Sequence, residues 1–223
     1  KINSENFFLN LKNKGINIPA WSKKKSYSNE WLIKSFKSFG GVLVRKNAKN
    51  SFLKSDEYFQ KKIFGEHLSL QFFIHDKRVK VLSVCNQFFK EDFHKPFVIK
   101  GIITRYTEPK LMKKLTEICC KISKSYNLNG INNLDLILEK NSEKIYIIEL
   151  NGRPGLSTNL IFRIHKNIFK YKRFQTNQDT IRNFYGTEII YSNKTLLIDK
   201  QRFQFIQSLK NCPSFSELPR KNL

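Results

Sequence analysis

The stretch from Ile131 to Ser157, INNLDLILEKNSEKIYIIELNGRPGLS, constrains this chain more than any other. Two apolar runs, Leu134 to Leu138 and Ile145 to Leu150, flank a polar NSE turn at Asn141 to Glu143, the pattern of a β-hairpin. Asp135 and Glu149, however, stand inside the apolar runs instead of at the turn. With the turn centred on Ser142, Lys140 faces Lys144, Leu138 faces Tyr146, Ile137 faces Ile147 and Asp135 faces Glu149. Side chains alternate along a strand, so Asn133, Asp135, Glu149 and Asn151 share one face. Cross-strand neighbours lie about 5 Å apart at Cβ, and two carboxylates that close repel unless a positive charge stands between them. Oxygen donors of this kind suit a hard cation, Mg2+ or Mn2+. A one-residue slip of register would set the acids diagonally, and a solvent-facing edge hairpin is the alternative for each acid taken alone.

Upstream, WLIKSFKSFGGVLVRK (Trp31 to Lys46) reads as a short strand delivering Lys34, a Ser/Gly loop, and a second strand from Val42 to Val44. A lysine after a strand, followed by a Gly-rich turn, can set an ammonium and several backbone N–H groups around a phosphate. It is not a Walker sequence, because the lysine precedes the glycines and no G-K-[ST] occurs; a solvated lysine on a hairpin is the alternative. Tyr58 to Ile63 reads as a strand or hinge, Gly65 as a turn and Leu68 to Ile74 as a strand. Asp76-Lys77 is a hairpin turn into Val79 to Asn86, and Phe97 to Ile103 forms a further strand with Arg105 on the surface at its end. Leu111, Leu115, Ile118, Cys119 and Ile122 recur at helical spacing between Pro109 and Tyr126, with Asn127 to Gly130 as the cap. After Ser157 a helix is expected with Leu160, Ile161, Ile164 and Ile168 inward and His165 on the surface, then strands at Thr187 to Tyr191 and Thr195 to Ile198.

A chain of 223 residues suffices for one substantial domain or two small lobes. It contains no run of about 18 apolar residues, so no membrane partner is expected. The net charge of +23 raises nucleic acid as a second class of partner. The lysines are spread over the whole chain among Asn, Ser, Ile and Phe, which reads as a compositional bias instead of a dedicated stripe. Cys85, Cys119, Cys120 and Cys212 show no C-x-x-C or zinc spacing, which fits reduced thiols and a cytoplasmic location. No apolar signal segment is visible in KINSENFFLNLKNKG, and residues 1–25 read as a connector from a domain upstream.

Asp135 followed by I-I-E-L-N-G-R-P-G-L-S resembles the metal-binding end of the ATP-grasp superfamily, commonly an Asp strand and then E-x-N-x-R. That resemblance implies that Asp135, Glu149 and Asn151 hold two Mg2+ (or Mn2+) ions on the phosphates of ATP. Arg153 would contact the acyl phosphate or the carboxylate that becomes one. The Lys34 strand and Gly40-Gly41 resemble the superfamily's phosphate strand and flexible loop, usually K-P-x-x-x-x-G-G, with Ser35 where Pro is usual. Lys34 would then hold the α- and β-phosphates, and Ser38, Phe39, Gly40 and Gly41 would cover them through backbone groups. Gln60, Lys61, Lys62 and Ile63 fall on the hinge whose backbone reads the adenine edge, and Ile148 falls on the same nucleotide site. A ribose-binding acid commonly follows the hinge glycine; Glu66 and His67 compete for that position, and the alignment favours His67.

The fold implied is α+β, with two lobes of antiparallel sheet and flanking helices clamping ATP between them. Its smaller lobe would run about 26–59 and its larger lobe about 60–165, with 166–223 as an extension completing the larger lobe. The activity implied is an ATP-dependent carboxylate–amine (or thiol) ligase working through an acyl phosphate on small-molecule substrates. It is similar to the branch containing tyramine–glutamate ligase and related cofactor-biosynthesis proteins. Two readings compete with it: a basic nucleic-acid-binding domain, and a degenerate relative that binds nucleotide without turnover. Ser35, His67 and Gly152 (often Pro in the superfamily) are the departures that favour the latter.

Overall fold

The first element is a helix, α1 (Glu5–Asn13); Ser4 caps it, its Oγ accepting from the Phe7 N–H at 3.3 Å. The structure is a computed structural model and describes residues 4–24, 30–37, 41, 43–47, 51–90, 96–164 and 184–189, with side chains 162–164 outside the description. Four short strands follow α1: β1 (Trp21–Ser22), β2 (Trp31–Ser35), β3 (Arg45–Lys46) and β4 (Glu57–Lys61). They form an antiparallel sheet in the order β1-β4-β2-β3.

After residues 62–64 the chain enters a second antiparallel sheet. Its strands are β5 (Gly65–His75), β6 (Arg78–Phe89), β7 (Ile99–Thr104), β8 (Gly130–Glu139), β9 (Ile145–Asn151) and β10 (Gly186–Glu188). They stand in the order β10-β7-β6-β5-β8-β9. Helix α2 (Pro109–Tyr126) connects β7 to β8, and α3 (Thr158–Ile164) follows β9. The architecture is the α+β, two-sheet arrangement expected.

One face of the larger sheet carries Leu68, Leu70, Phe72 and Ile74 of β5 with Leu134 and Leu136 of β8, packed against α1 and α2. Helix α2 turns Leu115, Cys119 and Ile122 into that core at helical spacing. It has the bounds its sequence predicts: Pro109 opens it where a missing N–H is harmless, and Asn127 ends it in a left-handed conformation, φ 47°. The opening segment expected as a connector contributes Phe7, Phe8 and Leu11, each at most 1% exposed, so its apolar residues are part of this core. Each contributes about 1.5–3 kcal/mol of burial. Among the described residues, no helix is long and apolar enough to cross a membrane.

Four expectations are corrected. Gly65 is the first residue of β5, not a turn; it pairs with Glu139, and a Cβ there would lie 2.1 Å from the Leu138 carbonyl oxygen. The strand expected at Val42 to Val44 is instead β3 at Arg45–Lys46, because the Val44 N–H turns back to the Gly41 carbonyl at 3.2 Å; Val42 lies outside the described residues. The hairpin register is right at the acids, where Asp135 faces Glu149, but Ile137 faces Tyr146 and Leu138 faces Ile145 nearer the turn. A bulge between Asp135 and Leu136 adds Ile148 to β9, and counting by twos cannot foresee an inserted residue. The strand expected from Thr187 is β10 at Gly186–Glu188. His165, Ile168, Tyr191, Cys212 and the Thr195 to Ile198 strand lie outside the described residues. The Asp76-Lys77 turn is as expected, both residues having positive φ (49° and 61°), as a two-residue hairpin turn of the favoured hand requires.

Phe7→Ala removes a buried ring that meets Tyr126 of α2 at 5.5 Å between centroids. Urea unfolding should record a loss of about 3–5 kcal/mol; a loss below 1 kcal/mol would contradict the packing of α1 into the core.

Candidate functional site

The face of the larger sheet away from α2 meets the smaller sheet in a cleft open to solvent at its mouth. From the smaller sheet come Lys34 on β2 and Gln60 and Lys61 on β4, and the crossover adds Lys62 and Ile63. His67, Gln87, Asp135, Ile148 and Glu149 line the opposite wall. The bulge serves the site: with Ile148 inserted, it and Glu149 both line the cleft while Ile147 stays in the core. Gly41, φ 75°, closes part of the rim; a Cβ there would fall 1.8 Å from the Phe97 carbonyl oxygen, so glycine alone can lie against that backbone.

Two expected residues stand apart from this lining. Asn151 faces Asn133 two pairs beyond the acids and donates from Nδ2 to Asp135 Oδ2 at 3.4 Å. Arg153 is exposed, its Nη1 donating to the Pro154 carbonyl at 3.0 Å. Ser38, Phe39 and Gly40 lie outside the described residues. Between the two candidates for the ribose position, strand alternation separates them: His67 lines the cleft, whereas Glu66 on the other face pairs with Arg105.

Electrostatics centre on three groups. Burial raises the pKa of the Asp135 carboxyl, against hydrogen bonds from Asn133, Ser69 and Gln87 and the charge of Lys34. Burial first, and then the charge of Asp135, push Glu149 up to about 7; Lys34, Arg153 and an Asn151 hydrogen bond oppose the rise. Lys34 is drawn below the usual lysine range by burial, and Glu149 and Asp135 pull it back. Each carboxylate charge is therefore held at a cost that a further cation beside the acids would relieve. Among the described residues no three His, Cys, Asp or Glu side chains gather at metal-binding spacing. The donors present are two carboxylates and the Asn151 amide, an all-oxygen set that suits Mg2+, which takes one or two carboxylates and fills its remaining positions with water and phosphate.

The other end of the cleft is aromatic. Phe36 stacks on Tyr58 at 4.3 Å, and His67 meets the Phe89 ring edge-on at 4.8 Å. Burial lowers the His67 pKa to about 4, helped by the charges of Lys34 and Lys62, so the ring is neutral near pH 7. Gln60 is 3% exposed, and its Nε2 has no hydrogen-bond partner among the described residues. A buried donor left unpaired costs about 1–3 kcal/mol, a cost that a hydrogen-bond acceptor bound in the cleft would offset. The sequence reading missed Gln87, whose Nε2 donates to Asp135 Oδ1 at 3.0 Å. No local motif marks it; only the strand order β6-β5-β8 brings it to the acids.

A family model described as an ATP-grasp domain matches residues 4–157. Over 63 residues the chain is 36% identical to the D-alanine–D-alanine ligase of Prochlorococcus marinus (strain AS9601), covering 28% of this chain and 18% of that one. Among solved structures, the L-amino acid ligase of Bacillus licheniformis aligns with TM-score 0.60 at 16% identity, over 74% of this chain and 44% of that one. Carboxyaminoimidazole ribonucleotide synthase of Aspergillus clavatus, solved with ATP, aligns with TM-score 0.58 at 14% identity, over 70% and 45%. The chain spans less than half the length of each of these relatives, and at these identities the structural likeness speaks for the fold.

His67 is neutral in the fold, with a pKa below that of the unfolded chain. Its contribution to stability is therefore complete above about pH 6.5 and is lost as the pH falls toward 4. Melting curves of the ligand-free protein should show a smaller drop over that interval in His67→Gln than in the wild type. Equal drops would mean the imidazole is not held neutral.

Proposed function

The chain belongs to the ATP-grasp family, and from that premise we propose that it is a ligase that binds Mg-ATP in the cleft and activates a small-molecule carboxylate for attack by an amine. The observation that carries this reading is the facing of Asp135 and Glu149 across β8 and β9, with Lys34 of the other sheet acting on both charges. Asp135, Glu149 and Asn151 hold the Mg2+, or Mn2+, which supplies charge neutralisation on the phosphates. Lys34 holds the α- and β-phosphates from the other wall, and the backbone of Gly41 lies over them. Gln60 to Ile63 and Ile148 receive the base in the apolar end, and His67 stands by the ribose.

Chemistry in such a site is positioning and charge stabilisation. An oxygen of the substrate carboxylate attacks the γ-phosphorus, the bond to the β–γ bridging oxygen breaks, and ADP departs. The amine nitrogen then attacks the acyl carbon, the C–O bond to phosphate breaks, and the proton lost by nitrogen leaves with the phosphate. Arg153, exposed beside the acids, contacts the acyl phosphate or the carboxylate that becomes one. The half-buried surroundings exclude much of the water that would hydrolyse such an intermediate.

Removing one acid of a repelling pair separates function from stability. Glu149→Gln and Asp135→Asn should each abolish Mg2+-dependent ATP binding, measured by calorimetry. Glu149→Gln should also raise the melting temperature of the ligand-free protein, because Asp135 then stands alone. Mg-ATP binding retained in both variants would overturn the assignment.

A further inference from the structure

Asp135 is held by a hydrogen-bond relay that spans three strands. Its Oδ1 accepts from Gln87 Nε2 at 3.0 Å and from Asn133 Nδ2 at 3.1 Å, while Oδ2 faces Asn151 Nδ2 at the longer 3.4 Å. Because a carboxylate only accepts, both amides must turn their NH2 groups toward it. That leaves Asn133 Oδ1 pointing back into the sheet, where Ser69 Oγ donates to it at 2.9 Å. Neighbouring strands lie about 4.8 Å apart, so Gln87 on β6 crosses about 10 Å to reach β8. It passes over β5, where Ser69 faces Asp135 in register. A small side chain at that point leaves room for the crossing.

The loop after β9 closes the relay from outside. Gly155 presses on Asn133: a Cβ at Gly155 would lie 2.7 Å from both Cγ and Oδ1 of Asn133. The loop is itself anchored, since the Thr158 N–H donates to the Gly155 carbonyl at 3.1 Å and Gln71 Nε2 donates to Thr158 Oγ1 at 3.0 Å. We propose that Gln87, Asn133 and Ser69, clamped by Gly155, are positioning residues that occupy Asp135 Oδ1 and thereby leave Oδ2, held only by the longer Asn151 contact, to the divalent cation shared with Glu149. This rests on reading the cleft as the cation and nucleotide site. It assigns the second glycine of Asn-Gly-Arg-Pro-Gly to keeping the place of Asn133.

Titrating Mn2+ into the whole protein with saturating ATP, and following free Mn2+ by electron paramagnetic resonance, tests the relay. Gln87→Met keeps the length of a half-exposed side chain and removes its donor. Gly155→Ala touches neither Asp135 nor the cation and acts only by displacing Asn133. Each should weaken Mn2+ by about ten- to a hundredfold, while for Gly155→Ala, which lies outside the cleft lining, ATP affinity measured in EDTA stays at the wild-type value. If Gly155→Ala does not fold, Ser69→Ala, which removes the hydroxyl beside Asn133 Oδ1 and Asp135 without adding bulk, reads the same relay. Wild-type Mn2+ affinity in either variant overturns the relay. A wild-type protein that binds no Mn2+ with ATP overturns the reading of the cleft, and the relay with it.

Discussion

Two carboxylates opposed across one hairpin set the terms for the rest of this molecule. Burial raises the cost of the charge on both Asp135 and Glu149, and the charge of Asp135 raises that of Glu149 further. A fold keeps such a pair only if something offsets it. Lys34 does so in part, at the expense of its own charge, because it too is withdrawn from water. The amides of Gln87, Asn133 and Asn151 do so by hydrogen bonding. The site is thus built to be completed by further positive charge, and its donors are all oxygen.

The larger sheet makes this arrangement possible by dividing its two faces. One face gives its apolar residues to α1 and α2 and supplies the stability. The other carries Ser69, Gln71, Asn133 and Asp135 in a polar band that would be expensive to bury unpaired, and each of these makes a hydrogen bond within the band or to α3. At the cleft end that band gives way to His67, Phe89 and Ile148, an apolar wall suited to a flat ring. The polar band and the apolar wall are therefore separated along a single sheet face, with the smaller sheet as the opposing wall.

Much of this was legible in the sequence where short-range periodicity governs. The hairpin acids follow from alternation, the α2 bounds from Pro109, the apolar spacing and Asn127, and the Asp76-Lys77 turn from its residues. Where a single inserted residue or a backbone approach decides, the sequence is silent. Nothing in IIELN announces the bulge at Ile148, and nothing in SFGGV says that Val44 folds back on Gly41. Gln87 illustrates the deeper limit. It sits in an unremarkable SVCNQFF stretch, and its role depends on β5 lying between β6 and β8, a fact of topology and not of local pattern. Glu66 and His67 are the intermediate case, undecided by spacing and separated once the face of β5 is known.

The central claim is that this cleft takes a nucleotide through its cation, and not merely a polyanion through the chain's net charge of +23. The most direct measurement is the melting shift produced by ATP, with and without Mg2+, at low and high salt. Binding at a hundredfold excess over Kd stabilises by about 2.7 kcal/mol. The account predicts a shift that requires Mg2+, survives high salt and disappears in Asp135→Asn. A shift that any polyanion reproduces, that needs no Mg2+ and that salt removes would contradict it.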